Sequence, residues 1–491
     1  MALHRGQGAF EYILMLSGVL LVVITITYMM QGSLAQADNT LDAQMKSAGI
    51  ALDPTYYTPG AKPQFMPSSP ADGSGSTTRP NITALITVKD AALNSLQFNW
   101  NGTNYTIYDP TLVLSLNFDG ASFLGENASQ AVDNSVYQNN ASIPITYLST
   151  FESGFEGWEL DCGSSLPTRQ QVTPGHLSTY AYSFQGSGCV YKTVNVPYGQ
   201  AITYSCKGPQ CSLCLWNNAN CANTNTCDNS VKADWTSCKA KVTSAGVYEA
   251  IMYPAGGPAT TIDNFYYGAS LTPDGKFGSA IEFDGIDDYA SVPYKESLRT
   301  GSTFTVSVWI YPRGGGNQVP LSKALYPYGW YWLLNAGGPS SFLRICDQAC
   351  SSSATFTPIG TWTHATIVHN GTNVIFYKNG VRDSICNGVQ PTCGGTGYEL
   401  LIGKYHGSGY SFNGSIDELR VWNRSLTPAE IEMNFRSNLK KYTPNAWFFD
   451  FKNETLPIGT YNYAVYASGG YRKDGSSETR TVRYCQVPWP C

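Results

Sequence analysis

At 491 residues the chain has room for roughly three or four domains, yet only 13 % of it is charged, well below the ~25 % of an ordinary soluble protein. Its surface must therefore be built largely from Asn, Ser, Thr, Gly and Tyr. A net charge of −5 with no basic run excludes nucleic acid as a partner.

The first element is an apolar run from Ala9 to Met30 in which Glu11 is the sole charge. About 20 apolar residues at a helical rise of 1.5 Å suffice to cross a bilayer. A carboxylate at that depth is costly, and by default it marks function. Upstream stand His4-Arg5-Gly6-Gln7, and a cut after Gly6 makes Glu11 the fifth residue of the mature chain. This arrangement resembles the class III signal segment of archaeal type IV pilin-like proteins, with Ala9 where that family usually has Ser. The resemblance implies cleavage between Gly6 and Gln7 by a prepilin peptidase. It also implies pairing of Glu11 with the new α-amino group of a neighbouring pilin-like subunit. Two other readings stay open. One is an ordinary signal peptide cut after Ser33-Leu34-Ala35, and the other is an uncleaved membrane anchor.

Residues 31–52 keep helix-compatible composition, Pro54 ends them, and Pro59 to Pro80 read as a Pro/Gly/Ser-rich linker. The expected order is a leader at 1–6, an apolar helix and stalk at 7–53, and a linker at 54–80. From Asn81 onward the chain is strand-like. The one convincing later helix opens at Thr427-Pro428-Ala429-Glu430, a capping box with Pro at the first helical position, and is expected to run to about Leu439.

Asn-x-Ser/Thr sequons begin at Asn81, Asn101, Asn104, Asn127, Asn140, Asn370, Asn413, Asn423 and Asn453, which suits an exported glycoprotein. The cysteines fall in even groups: Cys162, Cys189, Cys206, Cys211, Cys214, Cys221, Cys227 and Cys238; then Cys346, Cys350, Cys386 and Cys393; then Cys485 and Cys491. Disulfides formed outside the cell are expected within each group. Cys211-x-x-Cys214 lacks the second half of a zinc site.

Strand and turn signals are clearest from Gly275 to Phe435. Phe304–Ile310, Thr361–His364 and the alternating Val374-Ile375-Phe376-Tyr377 between Asn370-Gly371 and Asn379-Gly380 read as strands joined by hairpins. With Gly275–Tyr289 and the closing run Gly414–Arg424, these residues resemble a laminin-G-like, concanavalin-A-like jelly roll. Its opening strands look like Thr111–Asp119 and Asp133–Ala141, far upstream. The resemblance thus implies a jelly roll at 110–142 plus 269–441, interrupted by a Cys-rich insertion at 143–268. The insertion's ends, Phe151–Trp158 and Thr261–Tyr267, are similar to carbohydrate-binding jelly rolls. Residues 81–109 plus 442–491 resemble a split immunoglobulin- or fibronectin-III-like sandwich. The fold class expected is mostly β, with nested sandwiches behind an N-terminal hydrophobic helix.

Glu282 and Asp284, two apart on one strand, sit at about the 7 Å that glycoside cleavage requires. The glucanase pattern puts a further Glu where Ile286 stands, and nothing offers a Ser-His-Asp order or a phosphate loop, so no enzyme is expected. Calcium is the cofactor to expect. Asp284, Asp287, Asp288 and Asp417 are candidate ligands, Asp284 and Asp417 foremost by family analogy. For ligand binding, the aromatic stretch around Tyr328, Trp330 and Trp332 is the first candidate and Tyr405 with Tyr410 the second. His364 reads as a structural strand residue.

The reading that follows is a membrane-anchored or pilus-associated surface adhesin, its body outside the cell, binding a glycan or a protein. Its rivals are a structural surface glycoprotein that binds nothing specific and a glucanase-like hydrolase.

Overall fold

Turn residues at short intervals and β-branched or aromatic residues between them leave the chain few places to coil, and strands dominate. The structure, a computed structural model, describes residues 62–485 apart from short stretches, most of them between 150 and 259 and in loops at 325–328, 337–340, 353–356 and 390–396. Gly6, Gln7 and Glu11, with the leader, apolar helix and stalk, lie outside the described residues. Among the described residues no helix is long and apolar enough to cross a membrane.

Two eight-stranded sheets face each other. The first runs Ser270–Thr272, Ala280–Asp284, Asn413–Trp422, Thr303–Pro312, Thr363–Asn370, Asn373–Lys378 and Val381–Asn387, with Leu112–Leu116 also on the strand Asn413–Trp422. The second runs from Gln348–Ser351 through Phe342–Ile345, Trp330–Ala336, Gly316–Ser322, Leu400–Ile402, Ala290–Val292 and Ala141–Ser142 to Gln130–Ala131. Leu114, Phe283, Val306, Val308, Trp332, Ile402 and Leu419 fill the core between them. This is the layering of a jelly-roll sandwich.

Local rules set the hairpins. Lys378 pairs with Val381 across Asn379-Gly380, whose φ values of 50° and 81° are those of a two-residue turn that favours Asn-Gly. The Cys350–Cys386 disulfide ties the edge strands of the two sheets together. Cys206, Cys214, Cys238 and Cys485 are also disulfide-bonded. The side chains of Cys162, Cys189, Cys211, Cys221, Cys227, Cys346, Cys393 and Cys491 lie outside the described set.

Between 143 and 268 the described strands form two further sheets, of seven and four strands, with Thr260–Gly268 pairing Ile145–Ser149 where the insertion leaves and re-enters the jelly roll. Strands from both chain ends make another pair of sheets. Asn81–Thr87 pairs Ala446–Lys452, and Leu93–Trp100 pairs Gly459–Gly469. Phe98, Trp447, Phe449 and Tyr463 are buried between them.

Two expectations are corrected here. Residues 62–80 are not a free linker. Gln64–Phe65 pairs with Ala84 and Leu85, and Ser74–Ser76 runs parallel to Val482–Tyr484. The Phe65 ring meets Tyr463 edge-on at 4.9 Å, and Pro70 accepts a hydrogen bond from the Tyr463 hydroxyl at 2.6 Å. The helix keeps its expected start, with both halves of the Thr427/Glu430 capping box formed, but it stops at Arg436. Ser437 turns extended because Ser437–Thr443 pairs with Ala446–Phe451, and that ladder outweighs helix propensity.

The strand Asn413–Trp422 carries buried charge where the jelly roll meets the terminal sandwich. Arg420 donates to Glu418, Asn434 and Asn438 at 2.7, 2.8 and 3.0 Å, and Glu418 also accepts from Asn117 at 3.0 Å. Burial pushes Glu418 up to about 8 and Glu126 up to about 7, and it raises Asp417 well above the carboxylate range with help from Glu418 and Asp119. These carboxyls hold protons in the fold that the unfolded chain has released. The stability they lend is full below about pH 4 and is lost as pH rises through 7 to 8. His364, pulled down to about 3 by burial, acts in the opposite sense only below about pH 6.5. The melting temperature should therefore fall by a few degrees between pH 6.5 and 8, as read by differential scanning calorimetry. A flat profile would show that these acids are ionised in the fold.

Candidate functional site

The strand Ala280–Asp284 lies antiparallel to the start of Asn413–Trp422, with Asp284 opposite Asn413. The chain then turns at Gly285, φ 85°, where a Cβ would stand 2.7 Å from the Asn413 Cβ, so only glycine fits. Asp284 accepts from the Ile286 N–H at 2.8 Å, and Asp288 accepts from the Asp284 N–H at 3.0 Å. This tight loop draws one carboxylate oxygen each of Asp284, Asp287 and Asp288 within 4.8 Å of one another. Such a trio could hold a metal ion, and hard anionic oxygens suit a cation ligated at about 2.3–2.6 Å, as calcium is.

Asp417 is not part of that group. It lies four positions along the strand from Asn413, about 13 Å away, and is fully buried. Its carboxylate accepts from the Phe277 N–H at 2.9 Å and the Glu418 N–H at 2.8 Å. The expected pairing of Asp284 with Asp417 is thus overturned by strand register, and Asp287 and Asp288 take Asp417's place.

A hairpin at 403–412 fastens this loop to an aromatic group. Ser411 donates to the Ile286 carbonyl at 2.6 Å, and the Lys404 ammonium lies 5.0 Å over the Tyr289 ring. Gly403, φ 87°, sits where a Cβ would be 2.5 Å from the Phe283 ring, so the hairpin closes flush on the sheet. It sets Tyr405 4.7 Å from Tyr331 and 6.3 Å from Tyr410. Arg344 faces Tyr331 on the next strand and hydrogen-bonds it. Lys323 lies beside this group, 5.2 Å over Tyr294 and bonded to the Tyr398 carbonyl; burial lowers its pKa to about 8.

Within Trp330–Ala336 the alternation decides which aromatics are available. Trp330 and Trp332 are 3 % and 0 % exposed and belong to the core, so neither can stack on a ligand, and that expectation is corrected. Tyr331 points the other way and is half-buried. Tyr328 lies outside the described residues. Trp309 and Trp422 are buried as strand residues, whereas Trp362 is half-exposed against Tyr311. Glu282 is half-buried and paired with Arg313. His364 is buried beside Trp309 and Phe435, and shares a 2.8 Å hydrogen bond with Ser307. Sequence reasoning missed Arg344, Lys404 and Tyr289 because only register and the hairpin's position bring them to this surface.

Comparison with known proteins now bears on both ends of the chain. Residues 284–432 match the concanavalin A-like lectin/glucanases superfamily. Residues 5–30 match the class III signal peptide. Both resemblances read from the residues are found again. A class III signal peptide implies processing by a prepilin peptidase and export from the cytoplasm. No curated protein matches the chain.

Among solved structures, domain 4 of AbnA, a GH43 extracellular arabinanase from Geobacillus stearothermophilus in complex with arabinotriose, is 23 % identical, with a TM-score of 0.28 over 33 % of this chain and 79 % of that one. The binding domain of Paraclostridial Mosquitocidal Protein 1 is 17 % identical, TM-score 0.27, over 35 % and 48 %. The receptor binding domain of botulinum neurotoxin D is 13 % identical, TM-score 0.28, over 34 % and 47 %. The chain thus spans only about half of these two toxin domains. Likenesses at this level carry no argument about what the chain binds.

A cation at the acidic loop should stabilise the fold by mass action, by about 2.7 kcal/mol at 100 times its dissociation constant, and so raise the melting temperature. Calcium is expected to shift the wild-type protein and leave Asp287→Ala unmoved. Equal shifts in both would place the cation elsewhere.

Proposed function

We propose that the chain is a surface-exposed adhesin whose jelly-roll head binds a glycan. The observation that carries this reading is the tyrosine group Tyr331, Tyr405 and Tyr410 with Arg344, partly exposed beside an acidic loop. Sugar rings present C–H faces that stack on aromatic rings, and their hydroxyls take up phenol and guanidinium hydrogen bonds. The concanavalin A-like match supports a binding role in general terms. A calcium ion on Asp284, Asp287 and Asp288 would brace the loop that holds the hairpin, and could accept sugar hydroxyls directly.

At the other end, cleavage after Gly6 would leave Glu11 to pair with the α-amino group of a neighbouring subunit in a pilus. An uncleaved chain would stay singly anchored in the membrane. We read the head as non-catalytic, because Glu282 is committed to Arg313 and Ile286 stands where a hydrolase would need an acid. The reading as a scaffold without a ligand has no observation in its favour that the tyrosine group does not weaken.

Two measurements test this. Glycan-array binding should be lowered roughly tenfold by Tyr405→Ala and by Tyr410→Ala, with an unchanged melting temperature. Wild-type protein that binds no glycan would defeat the adhesin reading. Mass spectrometry of native protein should find a mature chain that begins at Gln7. A chain that begins at Gln36 would mean ordinary secretion.

A further inference from the structure

One ion pair joins the jelly roll to the terminal sandwich in a setting unlike that of a surface pair. Asp119 follows shortly after the strand Leu112–Leu116, and Lys440 lies on Ser437–Thr443 opposite Phe448. The Lys440 Nζ stands 3.4 Å from the Asp119 Oδ2, with the two side chains 20 % and 4 % exposed. Both backbones are fixed around the contact. The Asn117 amide donates to the Leu439 carbonyl at 3.2 Å, and the Ser279 N–H donates to the Asp119 Oδ1 at 3.4 Å. Gly278, φ 74°, lies against the pair, where a Cβ would overlap the Asp119 Oδ1 and stand 3.8 Å from the Lys440 Nζ. Only glycine lets the chain close here.

Burying two opposite charges is costly, and condensing them into an amide removes both. A proton carrier stands beside them. Glu126 is buried, and its carboxyl accepts from the N–H groups of Ala121 at 2.8 Å and Val132 at 3.1 Å. Burial and then Asp119 push it up to about 7 while Lys440 pulls it down, so it faces both members of the pair and exchanges a proton near neutrality. Asp417 lies one step along the same turn, on the Phe277 N–H at 2.9 Å, and burial holds its proton in place.

We propose that Lys440 and Asp119 condense into an intramolecular isopeptide bond, a covalent tie between the jelly roll and the terminal sandwich. The Nζ gives up a proton and attacks the Asp119 Cγ. The Nζ–Cγ bond forms, the Cγ–Oδ2 bond breaks, and the oxygen leaves with its electron pair. It takes two of the three ammonium protons, relayed by Glu126, and departs as water, while the third stays on the amide nitrogen. No oxidant and no external donor is consumed. Groups held in contact reach effective molarities of roughly 10⁵ M or more, which offsets the preference of free amines and carboxylates to stay apart in water. Burial of Asp119 also keeps water, the reactant of the reverse step, from the new carbonyl.

Peptide mass spectrometry of the purified protein, denatured and reduced, reads this directly. Chymotrypsin cuts after Phe118, Phe123, Leu439 and Tyr442, which releases peptides 119–123 and 440–442. They are expected as one joined species, lighter by one water than their sum, with fragmentation placing the link between Asp119 and the Lys440 Nζ. Lys440→Arg keeps a cation at the site and should lose the joined species completely. Two separate peptides from the wild-type protein would show an ordinary ion pair and overturn the proposal. A joined species that survives Lys440→Arg would overturn it as well.

Discussion

Strand Asn413–Trp422 is the constraint on which the rest of the jelly roll depends. One of its edges is shared by two short strands, Ala280–Asp284 along its first half and Leu112–Leu116 along its second. These come from opposite sides of the long insertion. Between them the ladder is interrupted, Glu418 takes a φ of 51°, and the register against Thr303–Pro312 slips by a residue. Asp417 and Glu418 fill the gap by accepting from the Phe277 N–H and the Asn117 amide. Burying acidic side chains is expensive, which is why these hold their protons, and here their oxygens stand in for partners that the split strand cannot supply. The same strand aims Asn413 and Asp284 at one pole and carries Arg420 toward the terminal sandwich, so its bulge sets both the candidate site and the join.

Much of this architecture could be read from the chain because it obeys short-range rules. Asn379-Gly380, the Thr427 capping box and the alternating Val374–Tyr377 specify their own geometry within a few residues. The even cysteine groups foreshadow the Cys350–Cys386 bond. What could not be read depends on partners far away in sequence. Five aromatics in seven residues do not tell which parity faces the core, and Trp330 and Trp332 turned inward while Tyr331 turned out. Asp417 looked like a ligand beside Asp284, and only register shows them about 13 Å apart.

Composition misleads in a related way at the helix end and after Pro59. Asn438 and Leu439 suit a helix as well as a strand, and the ladder to Ala446–Phe451 decides between them. The stretch before Asn81 is rich in Pro, Gly and Ser, as free linkers are. Yet two- and three-residue strands there are held by backbone bonds that need no particular side chain. A few anchors such as Phe65 on Tyr463 complete the attachment.

That attachment has a mechanical consequence. A pull arriving through the chain before Lys62 meets first the pairing of Gln64–Phe65 with Ala84 and Leu85, then the parallel run of Ser74–Ser76 beside Val482–Tyr484. Strands drawn lengthwise past their neighbours give way only when several hydrogen bonds break at once, unlike a hairpin unzipped one bond at a time. Load would therefore pass directly into the terminal sandwich.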